Sequence, residues 1–132
     1  MKIKPLHILP TDNTPEFFFD PQGTIRIKGR GLYGTGGHPT EEIQSWVESY
    51  LKEPAENTLI KIAFEYLNSY STSILVKILK NLSGVQLMKK KLTIHWFYEE
   101  DDDDILERGE YVASAFNIPI RFSVTNDINT CC

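Results

Sequence analysis

The sequence predicts a single α/β domain in which a mixed sheet carries helices mainly on one face. Three observations carry that expectation. A chain of 132 residues is about one domain long. Strand and helix patterns alternate along most of it, which implies a largely parallel sheet joined by right-handed crossovers. Within the strands, apolar and polar residues also alternate: Ile25 and Ile27 oppose Arg26 and Lys28, Ile60, Ile62, Phe64 and Tyr66 oppose Lys61 and Glu65, and Ile120, Phe122 and Val124 oppose Arg121 and Ser123. A sheet buried on both sides would read as continuous apolar runs instead, so one face should meet helices and the other stay partly wet.

The elements follow in order. Short strand signals at Leu6 to Leu9, Phe17 to Phe19 and Thr24 to Gly29, the last preceded by the turn "DPQG", read as an antiparallel β entry. After a glycine-rich loop, Ile43, Trp46, Val47, Tyr50 and Leu51 recur at helical spacing between Pro39-Thr40 and Pro54. "TLIKIAFEYL", Thr58 to Leu67, is the next strand. Ile74, Leu75, Ile78, Leu79 and Leu82 mark a second helix, with Asn68 or Ser69 as its cap. "KLTIHWFY" gives a further strand, and a third helix carries Ile105, Gly109, Val112, Ala113 and Phe116 on one side. "IPIRFSV" is the last strand. No linker or repeat divides residues 1–132, so one domain is expected throughout.

Composition excludes several function classes. A formal net charge of −4 disfavours a general nucleic-acid surface, which needs clustered Lys and Arg. Lys89 to Lys91 form a basic run at a helix end, where they complement the helix dipole. Apolar runs are short and interrupted, with neither a membrane span nor a signal-peptide pattern, so the cytoplasm is the expected compartment. Cys131 and Cys132 are adjacent and cannot staple a loop, so neither a disulfide framework nor a metal knuckle is expected.

Four motifs compete for a functional role. "GRGLYG", Gly29 to Gly34, matches the dinucleotide fingerprint literally. That fingerprint needs its last glycines in the first turn of a helix; here the helical pattern starts only after "TGGHPT", so a sharply bending loop is the better reading. His7, His38 and His95 have neither an i,i+4 partner His nor a nearby Cys, and His95 shares a strand face with Thr93 and Phe97. The acid run Glu99 to Asp104 lacks the glycine and bidentate Glu of a calcium loop, and Asp102 to Asp104 instead suit the N-terminus of a helix.

The fourth motif is "YLNSYSTS", Tyr66 to Ser73, which crowds hydroxyls and an amide into a strand-to-helix junction. One or two of them suffice to cap the helix. A hydroxyl there is also accessible to a kinase, beside backbone N–H groups that tolerate a phosphate. No G-x-S-x-G elbow or paired base supports a nucleophilic serine, so no enzymatic activity and no cofactor are expected. An alternative function is a small-anion or nucleotide-binding module using the N-terminus of the second helix or the glycine-rich loop.

"TPEFFFDPQGTIRIKGR", the helix around Trp46 with "YL" and Pro54, "FEYLNSYS" and "WFYEEDDDDILERGE" together resemble the successive motifs of the SiaC-type biofilm-regulation phosphoproteins. The resemblance covers about Thr14 to Val124, leaving a tail at 125–132. The family is similar in fold and logic to the anti-sigma-factor-antagonist (STAS) domains. What the resemblance implies is a non-enzymatic partner switch. A Ser/Thr kinase of the GHKL type phosphorylates the hydroxyl after a Leu-Asn pair, a PP2C-like phosphatase removes the phosphate, and the unmodified form binds and activates a diguanylate cyclase, raising cyclic di-GMP. Placed on this chain, the phosphoacceptor is Ser69, with Ser71 matching a second hydroxyl, and Asn68, Ser69, Tyr70, Ser71 and Thr72 form the partner-binding junction. The sequence departs from the family at Gly31 to Thr40, where a Pro-Glu-Asn turn is replaced by "GLYGTGGHPT".

Overall fold

The computed structural model of the chain describes residues 3–34, 38–117 and 119–132, excluding the side chain of Phe116. Thr35 to Gly37 of the glycine-rich loop, Ile118 at the head of the expected last strand and the Phe116 side chain therefore lie outside the described residues. The elements are β1 (Leu6–Ile8), β2 (Glu16–Phe19), β3 (Thr24–Gly31), α1 (Thr40–Lys52), β4 (Asn57–Leu67), α2 (Ser69–Leu82), a short 3-10 helix (Ser83–Met88), β5 (Lys91–Glu99), α3 (Asp103–Phe116) and β6 (Ile120–Thr125).

One six-stranded sheet runs in sequence order, β1-β2-β3-β4-β5-β6. The pairs β1/β2 and β2/β3 are antiparallel; β3/β4, β4/β5 and β5/β6 are parallel. That order explains why the sheet has a wet side. Each right-handed crossover moves one strand in the same direction, so α1, α2 and α3 all land on the same face, and a doubly wound sheet would need the order to reverse.

The core lies between the sheet and these helices, where Ile25, Ile27, Ile60, Ile62, Ile94 and Trp96 are buried beneath Ile43, Val47, Leu75, Leu79, Ile105 and Val112. Aromatic side chains seat the outer helices. Trp46 stacks on Tyr50 with ring centroids 5.0 Å apart and donates from Nε1 to the Lys4 carbonyl at 2.8 Å, while the buried Tyr50 hydroxyl pairs with Thr58 Oγ1 at 2.7 Å. On the other flank, Trp96 Nε1 donates to the Ile105 carbonyl at 3.1 Å, tying β5 to the first turn of α3.

Three expectations need correction. The first half of "GRGLYG" is not loop: β3 continues to Gly31, with Gly29 at φ 125°, a left-handed conformation that side chains disfavour. Tyr66 does not join the helix-facing row. Gly29 pairs with Phe64 but Arg30 pairs with Tyr66, so Glu65 is an extra residue in β4. This β-bulge sets two residues of one strand against one of its neighbour and reverses the alternation beyond it. Tyr66 therefore lies 54% exposed at the carboxyl end of β4 with the Arg30 guanidinium 5.7 Å from its ring centroid, while Leu67 is buried in the core. Val124 is likewise exposed, although Ile120 and Phe122 on its strand are packed against the core.

Candidate functional site

The site forms where the carboxyl ends of β3 and β4 meet the start of α2. Gly31 brings the two strands close to the helix: a Cβ there would stand 2.7 Å from Leu67 Cδ1 and 3.2 Å from Ser71 Cβ. The Asn68 N–H donates to the Gly31 carbonyl at 2.8 Å. Its side chain then works in two directions. Oδ1 accepts from the Ser71 N–H at 2.7 Å, capping α2, and Nδ2 donates to the Tyr33 carbonyl at 3.1 Å.

The neighbouring hydroxyls are committed in the same way. Buried Ser71 accepts the Tyr33 N–H on Oγ at 2.9 Å, buried Thr72 donates from Oγ1 to the Asn68 carbonyl at 2.8 Å, and Ser73 donates to the Tyr70 carbonyl at 2.7 Å. The Tyr70 hydroxyl meets His38 Nε2 at 3.1 Å, and His38 Nδ1 meets Thr40 Oγ1 at 2.6 Å. The segment after β3, the departure from the family pattern, is thereby fastened to the first turn of α2. Burial raises the pKa of the Tyr33 phenol.

Ser69 stands apart. It is the first residue of α2, it is exposed, and among the described residues its hydroxyl has no hydrogen-bond partner. It opens onto a groove of about 820 Å³ between α2 and α3, walled by Thr72, Ser73 and Val76 on one side and by Asp104, Arg108 and Tyr111 on the other. Tyr66 and Tyr111, 54% and 62% exposed, lie along this groove. Asp102 caps α3 by accepting from the Ile105 N–H at 3.0 Å, as the acid run implied, leaving Asp104 and Glu107 to face the groove. Among the described residues no group of three or more His, Cys, Asp or Glu is arranged to hold a metal ion, and no helix is long and apolar enough to cross a membrane.

The five junction residues expected from the sequence are thus brought together, but with divided labour: Asn68, Ser71 and Thr72 hold the junction, while Ser69 and Tyr70 present a surface. Sequence reasoning missed Tyr66, Arg108 and Tyr111. Tyr111 carried a signal, since it is a large aromatic outside the apolar stripe of its helix.

A model of the SiaC family regulatory phosphoproteins matches residues 8–125. The chain belongs to the SiaC family. Apo-SiaC from Pseudomonas aeruginosa, a solved structure, aligns with a TM-score of 0.79 at 21% identity, over 92% of this chain and 100% of that one. The structure of the diguanylate cyclase SiaD from the same organism in complex with its activator SiaC contains a chain with the same TM-score at 22% identity, covering 91% of this chain and 99% of that one. At such identities the likeness to these SiaC structures establishes the fold alone, an α/β arrangement of a six-stranded mixed sheet with three helices. No curated protein matches the chain.

Proposed function

We propose that this chain is a non-enzymatic partner-switching protein whose state is set by reversible phosphorylation of Ser69. A cognate Ser/Thr kinase of the GHKL type adds the phosphate, and a PP2C-like phosphatase removes it. The unmodified form binds an effector through the α2–α3 groove; the effector is a diguanylate cyclase, by analogy with the SiaD–SiaC complex. The observation that carries the reading is the isolation of Ser69: among the junction hydroxyls it is exposed and unengaged, whereas Ser71 and Thr72 are buried and bonded. A kinase must reach an oxygen without unmaking the fold, and Ser69 meets that condition while Ser71 does not.

The lining of the groove bears on how a phosphate acts. Asp104 and Glu107 beside Arg108 favour an effector surface that is apolar with some positive charge. A phosphate of about −2 charge on Ser69 then opposes binding chiefly by filling the mouth of the groove and holding water there. The same acidic lining weighs against a small-anion or nucleotide site at the N-terminus of α2.

Co-expression with the cognate kinase followed by intact-mass measurement tests the assignment. One phosphate is expected on the wild-type chain and on Ser71→Ala, and none on Ser69→Ala. A phosphate that persists in Ser69→Ala overturns it.

A further inference from the structure

The wet face of the sheet, across from α2, carries an arrangement the switch does not use. Strand register aligns His7, Phe18, Arg26, Lys61, His95 and Arg121 in one row across all six strands. Neighbouring strands are about 4.8 Å apart, so Arg26, Lys61 and Arg121 span about 14 Å in a line. Arg26 is paired with Glu16, Nε to Oε1 at 3.1 Å. Among the described residues Lys61 and Arg121 have no carboxylate within salt-bridge distance. A chain of net charge −4 thus places two cations without a carboxylate partner in one row of this face, flanking His95. Both cations act on His95, whose pKa lies below its ordinary value, first through burial and then through Arg121 and Lys61.

Next to this row, the residues after β6 fold back over the sheet. The Lys28 ammonium donates to the carbonyls of Asn129 at 3.0 Å and Cys131 at 2.7 Å, the Ile128 N–H donates to Glu99 Oε2 at 2.9 Å, and Ile128 is buried. The Lys61 and Arg121 positions lie outside that clasp, in a different register row from Lys28.

We propose that this cationic row is a second docking surface, and that it takes an acidic segment of a partner protein. Charge complementarity selects an anion. The rings on this face argue against single-stranded nucleic acid, which needs free aromatic faces for its bases. Phe18 already has the Arg26 guanidinium 5.1 Å from its centroid, and Phe97 is covered by His95 at 4.2 Å. A partner held here leaves the α2–α3 groove open, so one copy of the chain can engage two proteins at once.

Fluorescence anisotropy with a labelled oligoglutamate peptide as the probe tests this. Binding by the wild-type chain should weaken roughly tenfold or more in Lys61→Gln/Arg121→Gln and stay unchanged in Lys89→Gln/Lys90→Gln/Lys91→Gln, which removes one positive charge more, but elsewhere. In NMR spectra the peptide should move the His95 and Arg121 signals and leave Ser69 unmoved. Circular dichroism confirms that both variants fold, and a misfolded double variant is replaced by the single Arg121→Gln, expected to weaken binding in the same direction. Absence of peptide binding, or equal loss in the two multiple variants, overturns the proposal. So does tighter binding of oligothymidine that is lost in Lys61→Gln/Arg121→Gln, or self-association lost in that variant, which would make a second copy the occupant.

Discussion

Asn68 and Ser69 are adjacent and similar in size, yet their side chains have opposite relations to the fold. Asn68 closes three contacts: its backbone on Gly31, its carboxamide oxygen on Ser71 and its carboxamide nitrogen on Tyr33. Replacement by alanine removes an N-cap, typically worth about 1 kcal/mol, and leaves the Tyr33 carbonyl without this donor. Asn68→Ala should therefore lower unfolding free energy by about 1–2 kcal/mol, read from the urea midpoint. Ser69→Ala should change it by no more than about 0.5 kcal/mol, as for exposed positions without contacts. Equal losses would mean that Ser69 is part of the junction's framework. The composition of "LNSYSTS" showed that hydroxyls gather here, but not which one is free. That distinction depends on Tyr33 and His38, which reach the junction from more than thirty positions away.

Among the elements, α3 shows how close packing can reverse a local preference. Within a helix, glycine to alanine is ordinarily stabilising by about 1 kcal/mol. At Gly109, however, a Cβ would stand 2.7 Å from atoms of both Trp96 and Phe122. Trp96 is fully buried and anchored through its indole N–H to Ile105, so it cannot swing aside cheaply. Overpacking of this kind costs about 1–3 kcal/mol and outweighs the propensity gain. Gly109→Ala is expected to lower the thermal midpoint, and a rise would mean that α3 can shift outward freely. The periodicity of α3, its acidic cap and the run of strands and helices were legible in the sequence, because each rests on spacing within a few residues. The bulge at Glu65 was not. It arises from the register between β3 and β4, and that pairing leaves no mark on the alternation "IKIAFEYL" itself.

At the scale of the whole molecule, the one-sided sheet separates two electrostatic environments, and acidification should reveal the wet one in two steps. His95 has a lowered folded pKa, so over a window just below the ordinary histidine value of about 6.5 the unfolded chain binds more protons than the folded one. Stability then falls as pH drops through that window. Glu16 is held below the usual carboxylate range by Arg26, against some desolvation, and with help from His7. Its contribution is present above the ordinary glutamate value of about 4.3 and is lost as pH falls towards its folded pKa. Thermal midpoints measured from pH 8 downwards should decline in both windows, with His95→Gln removing the upper decline and Glu16→Gln the lower. A flat profile above pH 5 would contradict the desolvation of His95. Sequence alternation foresaw that one face would be wet, since it is set residue by residue. It could not foresee a cationic row running at right angles to the strands.

The extra residue in β4 has a further implication. With Glu65 inserted against Arg30, Leu67 reaches the core side in register with Gly31, and the Asn68 N–H meets the Gly31 carbonyl. Without the bulge, strict alternation over the same residues would turn Leu67 outward and present the helix cap to the wrong side of the sheet. The register set by that one extra residue is therefore what aims Ser69.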